Sequence, residues 1–160
     1  MSSKIYSEKL VQRVNELYHD FVSEQYHHRH PEIFELEKDR WVRIAGRFFD
    51  FAKPIKIIDI GTGTGFVPLT IAKFLKIEDT FICSDISKNI LGVAERNIKK
   101  QNFQCQFEFV KIESRIPFQL PFETESAEVL TVNSVLHHIE NTGVFLSELD
   151  RILKPQGLVF

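Results

Sequence analysis

The segment IIDIGTGTGF, residues 57–66, sets an acid, Asp59, two residues ahead of glycines that alternate with threonines: Gly61, Thr62, Gly63, Thr64, Gly65. A glycine-rich turn directly after an apolar run lets a nucleotide-type ligand approach the backbone, because no side chain stands in its way. Two ligand classes are excluded by what is missing. The dinucleotide fingerprint G-x-G-x-x-G fails in both registers, with Phe66 at the last position counted from Gly61 and Pro68 counted from Gly63. The phosphate-cradling loop fails because no lysine follows the glycines. Asp59 argues the same way, since a carboxylate beside the turn repels a pyrophosphate and attracts positive charge. These residues point to a nucleoside-type ligand without phosphates, and a cationic one.

A second acid supports that reading. Asp85 closes the apolar run TFICSD and lies 20 residues beyond Gly65, the place from which an acid holds ribose hydroxyls in dinucleotide folds. Its other available role is to cap the helix that follows.

These residues need a framework of alternating strands and helices. IKIIDI and TFICSD are short continuous apolar runs, as expected of strands covered on both faces. Between them, FVPLTIAKFLK reads as a helix with Pro68 tolerated in its first turn. Ser87 is the expected N-cap of the helix KNILGVAERNIKKQ, whose Leu91, Ala94 and Ile98 form an apolar stripe. CQFEFVKI alternates like a third strand, AEVLTVNSVL reads as a fourth, and TGVFLSELDRILK as a helix with Thr142 as its cap. KPQG ends that helix and LVF opens a fifth strand. Such alternation predicts an α/β fold, a parallel sheet with helices on both faces.

Upstream, residues 4–26 carry a helical period, with Ile5, Leu10, Val11, Val14, Leu17, Tyr18 and Phe21 mostly on one face. Pro31 breaks the pattern, and a second helix is expected from Glu32 to Phe51, ending before Pro54. Tyr18, Phe21, Tyr26 and Trp41 are read as core aromatics, with a lid as the alternative. The chain divides into a helical cap, residues 1–52, and a ligand-binding domain, residues 53–160.

The 160 residues suffice for one compact domain, and the composition, 43% hydrophobic and 26% charged, is that of an ordinary soluble protein. A net charge of −2 offers no electrostatic attraction to nucleic acid or an acidic membrane. Cys83 and Cys105 are too far apart in sequence for a redox or zinc pair, and a cytoplasmic location is expected. His27, His28 and His30 lack a companion acid or cysteine at ligand spacing, so no metal site is expected.

The arrangement DIGTGTG resembles motif I of the class I S-adenosylmethionine-dependent methyltransferases. ICSDIS, LPFETESAEVLTVNSVLHHIEN and FLSELDRILKPQGLVF are similar to later blocks of that family, in order, over residues 55–160. The resemblance implies a Rossmann-like, doubly wound and mostly parallel sheet of strand order 3-2-1-4-5. It implies S-adenosyl-L-methionine as cofactor, S-adenosyl-L-homocysteine as product, and a small molecule as methyl acceptor. Asp59, Gly61, Thr62, Gly63 and Gly65 would line the methionine and ribose portions, Asp85 would hold the ribose, and Ile86 would lie beside the adenine. Glu113 stands either near the adenine amino group or as a solvated strand end. Asn133 faces the methionine end or satisfies backbone groups, and His137 serves as general base or packs in its loop. Gln156 replaces a glycine of the family's usual turn. Family members complete the fifth strand and add two more, so the resemblance implies a fragment with its C-terminal strands missing. The alternative function is a non-catalytic module of the same fold that binds cofactor or a partner; a nicotinamide oxidoreductase is disfavoured by the glycine spacing.

Overall fold

The computed structural model describes residues 2–22, 37–49, 52–113, 115 and 117–160. Strands β1 (Lys56–Ile60), β2 (Thr80–Asp85), β3 (Gln106–Lys111), β4 (Ala127–Thr131) and β5 (Leu153–Val159) form one sheet in the order β3-β2-β1-β4-β5. Every pairing is parallel, with Ile57 opposite Phe81 and Val129, and Phe81 opposite Phe107. The expected strand order is therefore observed.

Strand periodicity sorts the core into two layers. Ile57, Phe81, Cys83 and Val129 point to one face, where α3 (Phe66–Ile71) and α4 (Lys88–Lys99) supply Phe66, Val67, Ile71, Leu91 and Ile98. Ile58, Ile60, Ile82 and Leu130 point to the other, against Phe145, Leu149 and Ile152 of α5 (Thr142–Ile152). The central strands are buried along almost their whole length, whereas β3, at the edge, alternates more and less exposed residues. Both thiols lie in the core, and burial raises the pKa of each, Cys105 to about 11.

Several boundaries differ from expectation. The fourth strand stops at Thr131, because the chain turns at Ser134, which has φ 56°. The cap of α5 is Asn141, whose side chain accepts from the Val144 N–H, so Thr142 is the first helical residue. β5 begins directly after α5 and absorbs Lys154–Gly157 through a register shift opposite Ala127–Val129, with Gln156 at φ 66°. The second helix, α2, runs over Lys38–Phe48; the expected residues 32–36, and Tyr26 and the His27–His30 cluster, fall outside the described residues. Ser87 caps α4 as expected, accepting from the Ile90 N–H.

The largest departure is α1 (Ser2–Val22). Leu10, Val14, Leu17, Tyr18 and Phe21 are exposed, Phe21 at 83%, while the opposite polar face meets the sheet. Glu16 pairs with Lys111 at 3.1 Å, Asn15 Nδ2 donates to the His138 carbonyl at 3.2 Å, and Ser87 Oγ donates to Asp20 at 2.5 Å. Specific polar partners at the strand ends set the helix rotation, and the apolar stripe is left outside. Of the expected core aromatics among the described residues, Trp41, 1% exposed, is buried, and Tyr18 and Phe21 are exposed.

At the opposite end of the sheet Asp79 is an unforeseen anchor. Its buried carboxylate accepts from the Ile55 N–H at 3.0 Å and the Lys76 N–H at 2.6 Å, and its backbone carbonyl accepts from the Gln106 N–H at 2.9 Å. The residue thus ties together the entries to β1, β2 and β3. Asp79→Ala leaves two backbone donors unsatisfied and is expected to lower stability by about 2 kcal/mol in urea denaturation.

Candidate functional site

The strand order reverses between β1 and β4, so the C-terminal ends of those strands diverge and leave a crevice, the usual ligand position in open parallel sheets. A cavity of about 150 Å³ lies there. Its floor is the turn after β1, where Gly61, Gly63 and Gly65 all have positive φ (74°, 55° and 98°). A Cβ at Gly61 would collide with Val135, so that position demands glycine sterically as well as conformationally. A Cβ at Gly63 would meet nothing within 4 Å, so the space beside it is open for a ligand.

The turn is braced on the end of β2. The Gly61 and Thr62 N–H groups donate to the Ser84 carbonyl at 2.8 and 2.9 Å, and Ser84 Oγ donates to the Asp59 carbonyl at 2.7 Å. Asp85 completes the brace. Its carboxylate accepts from the Gly63 N–H and the Ser87 N–H, each at 2.9 Å, so it braces the glycine turn and also caps the start of the helix that follows. Burial raises its pKa, offset by those two donors and by His19.

Asp59 lies beneath the turn, outside the cavity wall. Its Oδ1 accepts from Thr131 Oγ1 at 2.6 Å, while Oδ2 is buried with no hydrogen-bond partner. Burial pushes its pKa up to about 6, against the lowering effect of the Thr131 and Thr62 hydroxyls. An unpartnered buried carboxylate oxygen is costly, and here it creates negative potential just under the glycines.

Of the residues singled out in the sequence, Gly61, Thr62, Gly63, Asp85, Ile86, Glu113 and Asn133 line the cavity together. Asp59 and Gly65 support it from outside. His137 is exposed and forms no part of the wall; its neighbour His138 does. Glu113 is largely exposed and sits 3.5 Å from Lys111.

Three wall residues not foreseen come from α1: Gln12, Asn15 and His19. Their spacing places them on one helical face, a polar stripe opposite the apolar one and readable from the same period. His19 meets His138 edge-on at 5.2 Å between ring centroids. Burial lowers the pKa of His19, and burial together with the charges of His137 and His19 lowers that of His138 to about 4. Both rings are therefore neutral at pH 7. Phe118, Leu120, Ile139 and Phe145 make the remaining wall apolar, and among the described residues no lysine or arginine lines the cavity.

The family profile described as a methyltransferase domain matches residues 58–160, which include the glycine turn, Asp85, Asn133 and His138. The chain belongs to that family. The match and the observed sheet bear out the resemblance to class I S-adenosylmethionine-dependent methyltransferases. Among relatives, the demethylmenaquinone methyltransferase of Lactobacillus johnsonii is 26% identical over 115 residues, 68% of this chain and 46% of that protein. A Bacillus halodurans structure described as a methyltransferase has a TM-score of 0.62 and 29% identity, covering 77% of this chain and 49% of that one. A Methanococcus maripaludis structure, described as an S-adenosyl-L-methionine-dependent methyltransferase, shares the fold at TM-score 0.65 and 19% identity, over 88% and 62% of the two chains. This methyltransferase domain spans about half the length of the curated demethylmenaquinone methyltransferases that it matches. No helix among the described residues is long and apolar enough to cross a membrane, and no cluster of metal-ligating residues is found among them.

Proposed function

We propose that this domain binds S-adenosylmethionine across the ends of β1, β2 and β4 and directs its methyl group to a small-molecule acceptor, in a reducing cytoplasm where both thiols stay free. The observation that carries the reading is the pairing of an open glycine turn with two buried acids, one unpartnered below it and one beside it. That donor set fits a cationic nucleoside and repels a phosphate. When bound, the cofactor supplies a methyl group on a sulfonium, a leaving group that needs no protonation.

The protein's part is orientation and exclusion of water. Asp85 has lone pairs beyond those accepting from Gly63 and Ser87, and these would take the ribose hydroxyls. Ile86 offers an apolar surface for the adenine, with Glu113 near the ring edge. Residues 1–52 act as the cap, α1 closing the cavity with Gln12, Asn15 and His19. Where the acceptor has a proton to lose, His138 takes the role first assigned to His137, because its neutral ring faces the cavity. The chemistry in the name of the demethylmenaquinone relatives supports an uncharged ring as acceptor, as does a wall without lysine or arginine.

S-adenosylhomocysteine at about a hundred times its dissociation constant is expected to raise the melting temperature by about 5–10 °C. NAD is expected to leave it unchanged. Stabilisation by NAD with indifference to S-adenosylhomocysteine would reverse the assignment.

A further inference from the structure

The amide of Asn133 is held in one orientation by α2. Its Oδ1 accepts from the indole Nε1 of Trp41 at 3.3 Å and from Arg40 at 3.4 Å. An indole N–H and a guanidinium can only donate, so the atom they meet must be the amide oxygen, and the amide cannot be flipped. A carbonyl oxygen has two lone pairs, and both are engaged. What remains is the NH2 group, 3.5 Å from Ser134 Oγ, on the stretch of cavity wall that Asn133 and Ser134 form together. The backbone is committed to this arrangement as well, since Ser134 adopts a left-handed φ of 56°, uncommon for a residue with a side chain. Trp41 is fully buried, which fixes the indole donor, while Arg40 is half-exposed and paired with Glu37 at 2.6 Å.

We infer that Trp41 is a positioning residue that makes Asn133 a hydrogen-bond donor at the transfer site, and that the site therefore takes an acceptor bearing an oxygen beside its reacting atom, as in a hydroxylated or carbonyl-bearing ring, and not an amine. An asparagine free to rotate would accept from an amine N–H as readily as it donates to an oxygen. This one has both oxygen lone pairs engaged, so an amine N–H brought to it finds no acceptor and meets a desolvation cost with no return. The inference rests on the methyl-donor reading and adds the polarity of the acceptor to it.

The test uses calorimetry on the full chain loaded with S-adenosylhomocysteine, with 1,4-dihydroxynaphthalene and 1-naphthylamine as ring-matched probes. The dihydroxy probe is expected to bind at least about tenfold more tightly than the amine. Trp41→Phe removes the indole donor while keeping an aromatic ring. It is expected to bring the two probes within about threefold of each other and to leave S-adenosylhomocysteine affinity within about twofold. Asn133→Asp, which can only accept, is expected to invert the preference, and it keeps the test in hand if Trp41→Phe does not fold. Equal affinity of the probes in the unaltered chain, tighter binding of the amine, or binding of neither overturns the inference. So does a Trp41→Phe variant that weakens S-adenosylhomocysteine and the dihydroxy probe equally, which would assign Asn133 to the methyl donor. Failure of S-adenosylhomocysteine itself to bind removes the methyl-donor reading and this inference with it.

Discussion

Replacing Asp85 with alanine is expected to weaken S-adenosylhomocysteine binding by at least about 100-fold, the result of losing two hydrogen bonds from hydroxyls to a charged acceptor at about 1.5–3 kcal/mol each. The geometry makes the residue hard to replace. One carboxylate oxygen holds the Gly63 N–H and the other the Ser87 N–H, so the same group shapes the glycine turn and starts α4. Alanine therefore also leaves two backbone donors without their partner, and the variant should melt lower before any ligand is added. Asp85→Asn separates the two effects. It retains one oxygen for one backbone donor, at the cost of an amide facing the other. Its stability should fall less than that of Asp85→Ala, while the loss of binding remains large because the charge is gone. Calorimetric titration of both variants with S-adenosylhomocysteine, beside their melting temperatures, checks the pair. Unchanged affinity in either would dismiss Asp85 from the ribose site.

What the chain announced locally, the structure delivers. The runs IKIIDI and TFICSD were legible as central strands because β1 and β2 are covered on both faces and need no alternation. The glycine turn was legible because three alternate positive φ angles favour glycine, and the sequence supplies one at each of the three positions. Asp85 was legible from spacing, since the turn and the second strand's end are adjacent in any parallel β-α-β unit.

Features decided by distant partners were not. The apolar stripe of α1 is a valid helical pattern, yet it faces outward, because Asn15, Glu16 and Asp20 find partners at His138, Lys111 and Ser87, each more than 60 residues away in sequence. The fourth strand was read too long because Val132 and Val135 continue its apolar texture, and nothing local declares that Ser134 turns the backbone. The donor orientation of Asn133 was invisible for the same reason, being set by Trp41 from another helix. Composition and period identify an element; its rotation and its end depend on contacts across the fold.

The second large effect is electrostatic and has a definite sign. Asp59 titrates near 3.8 when exposed and near 6 in the folded protein, because burial opposes its charge. Between those values the folded chain binds more protons than the unfolded one, so this residue's contribution to stability falls as pH rises from about 4 to about 6 and is constant above. The cost carried at pH 7 is about 3 kcal/mol. Asp59→Asn removes the charge but leaves a buried amide donor to accommodate, so a net gain of about 1–2 kcal/mol is expected at pH 7.5, and none at pH 4. Comparing urea denaturation of the two proteins across that range isolates Asp59 from Asp85, whose pKa is also raised, and from Glu128 and Glu148, whose pKa values are lowered. The same charge should attract a ligand ammonium above the turn. Affinity of the unaltered chain for S-adenosylhomocysteine is expected to fall about tenfold per unit as pH drops below 6, as the carboxylate takes up the proton that binding must expel. Asp59→Asn should bind at least about tenfold more weakly at pH 7.5 and lose the part of that pH dependence due to Asp59, leaving any due to Asp85. A variant that is both more stable and as tight a binder would show Asp59 to be a buried cost without a function. A variant that is more stable and a weaker binder shows stability exchanged for a preformed negative site, which is why an unpartnered carboxylate persists at the centre of the sheet.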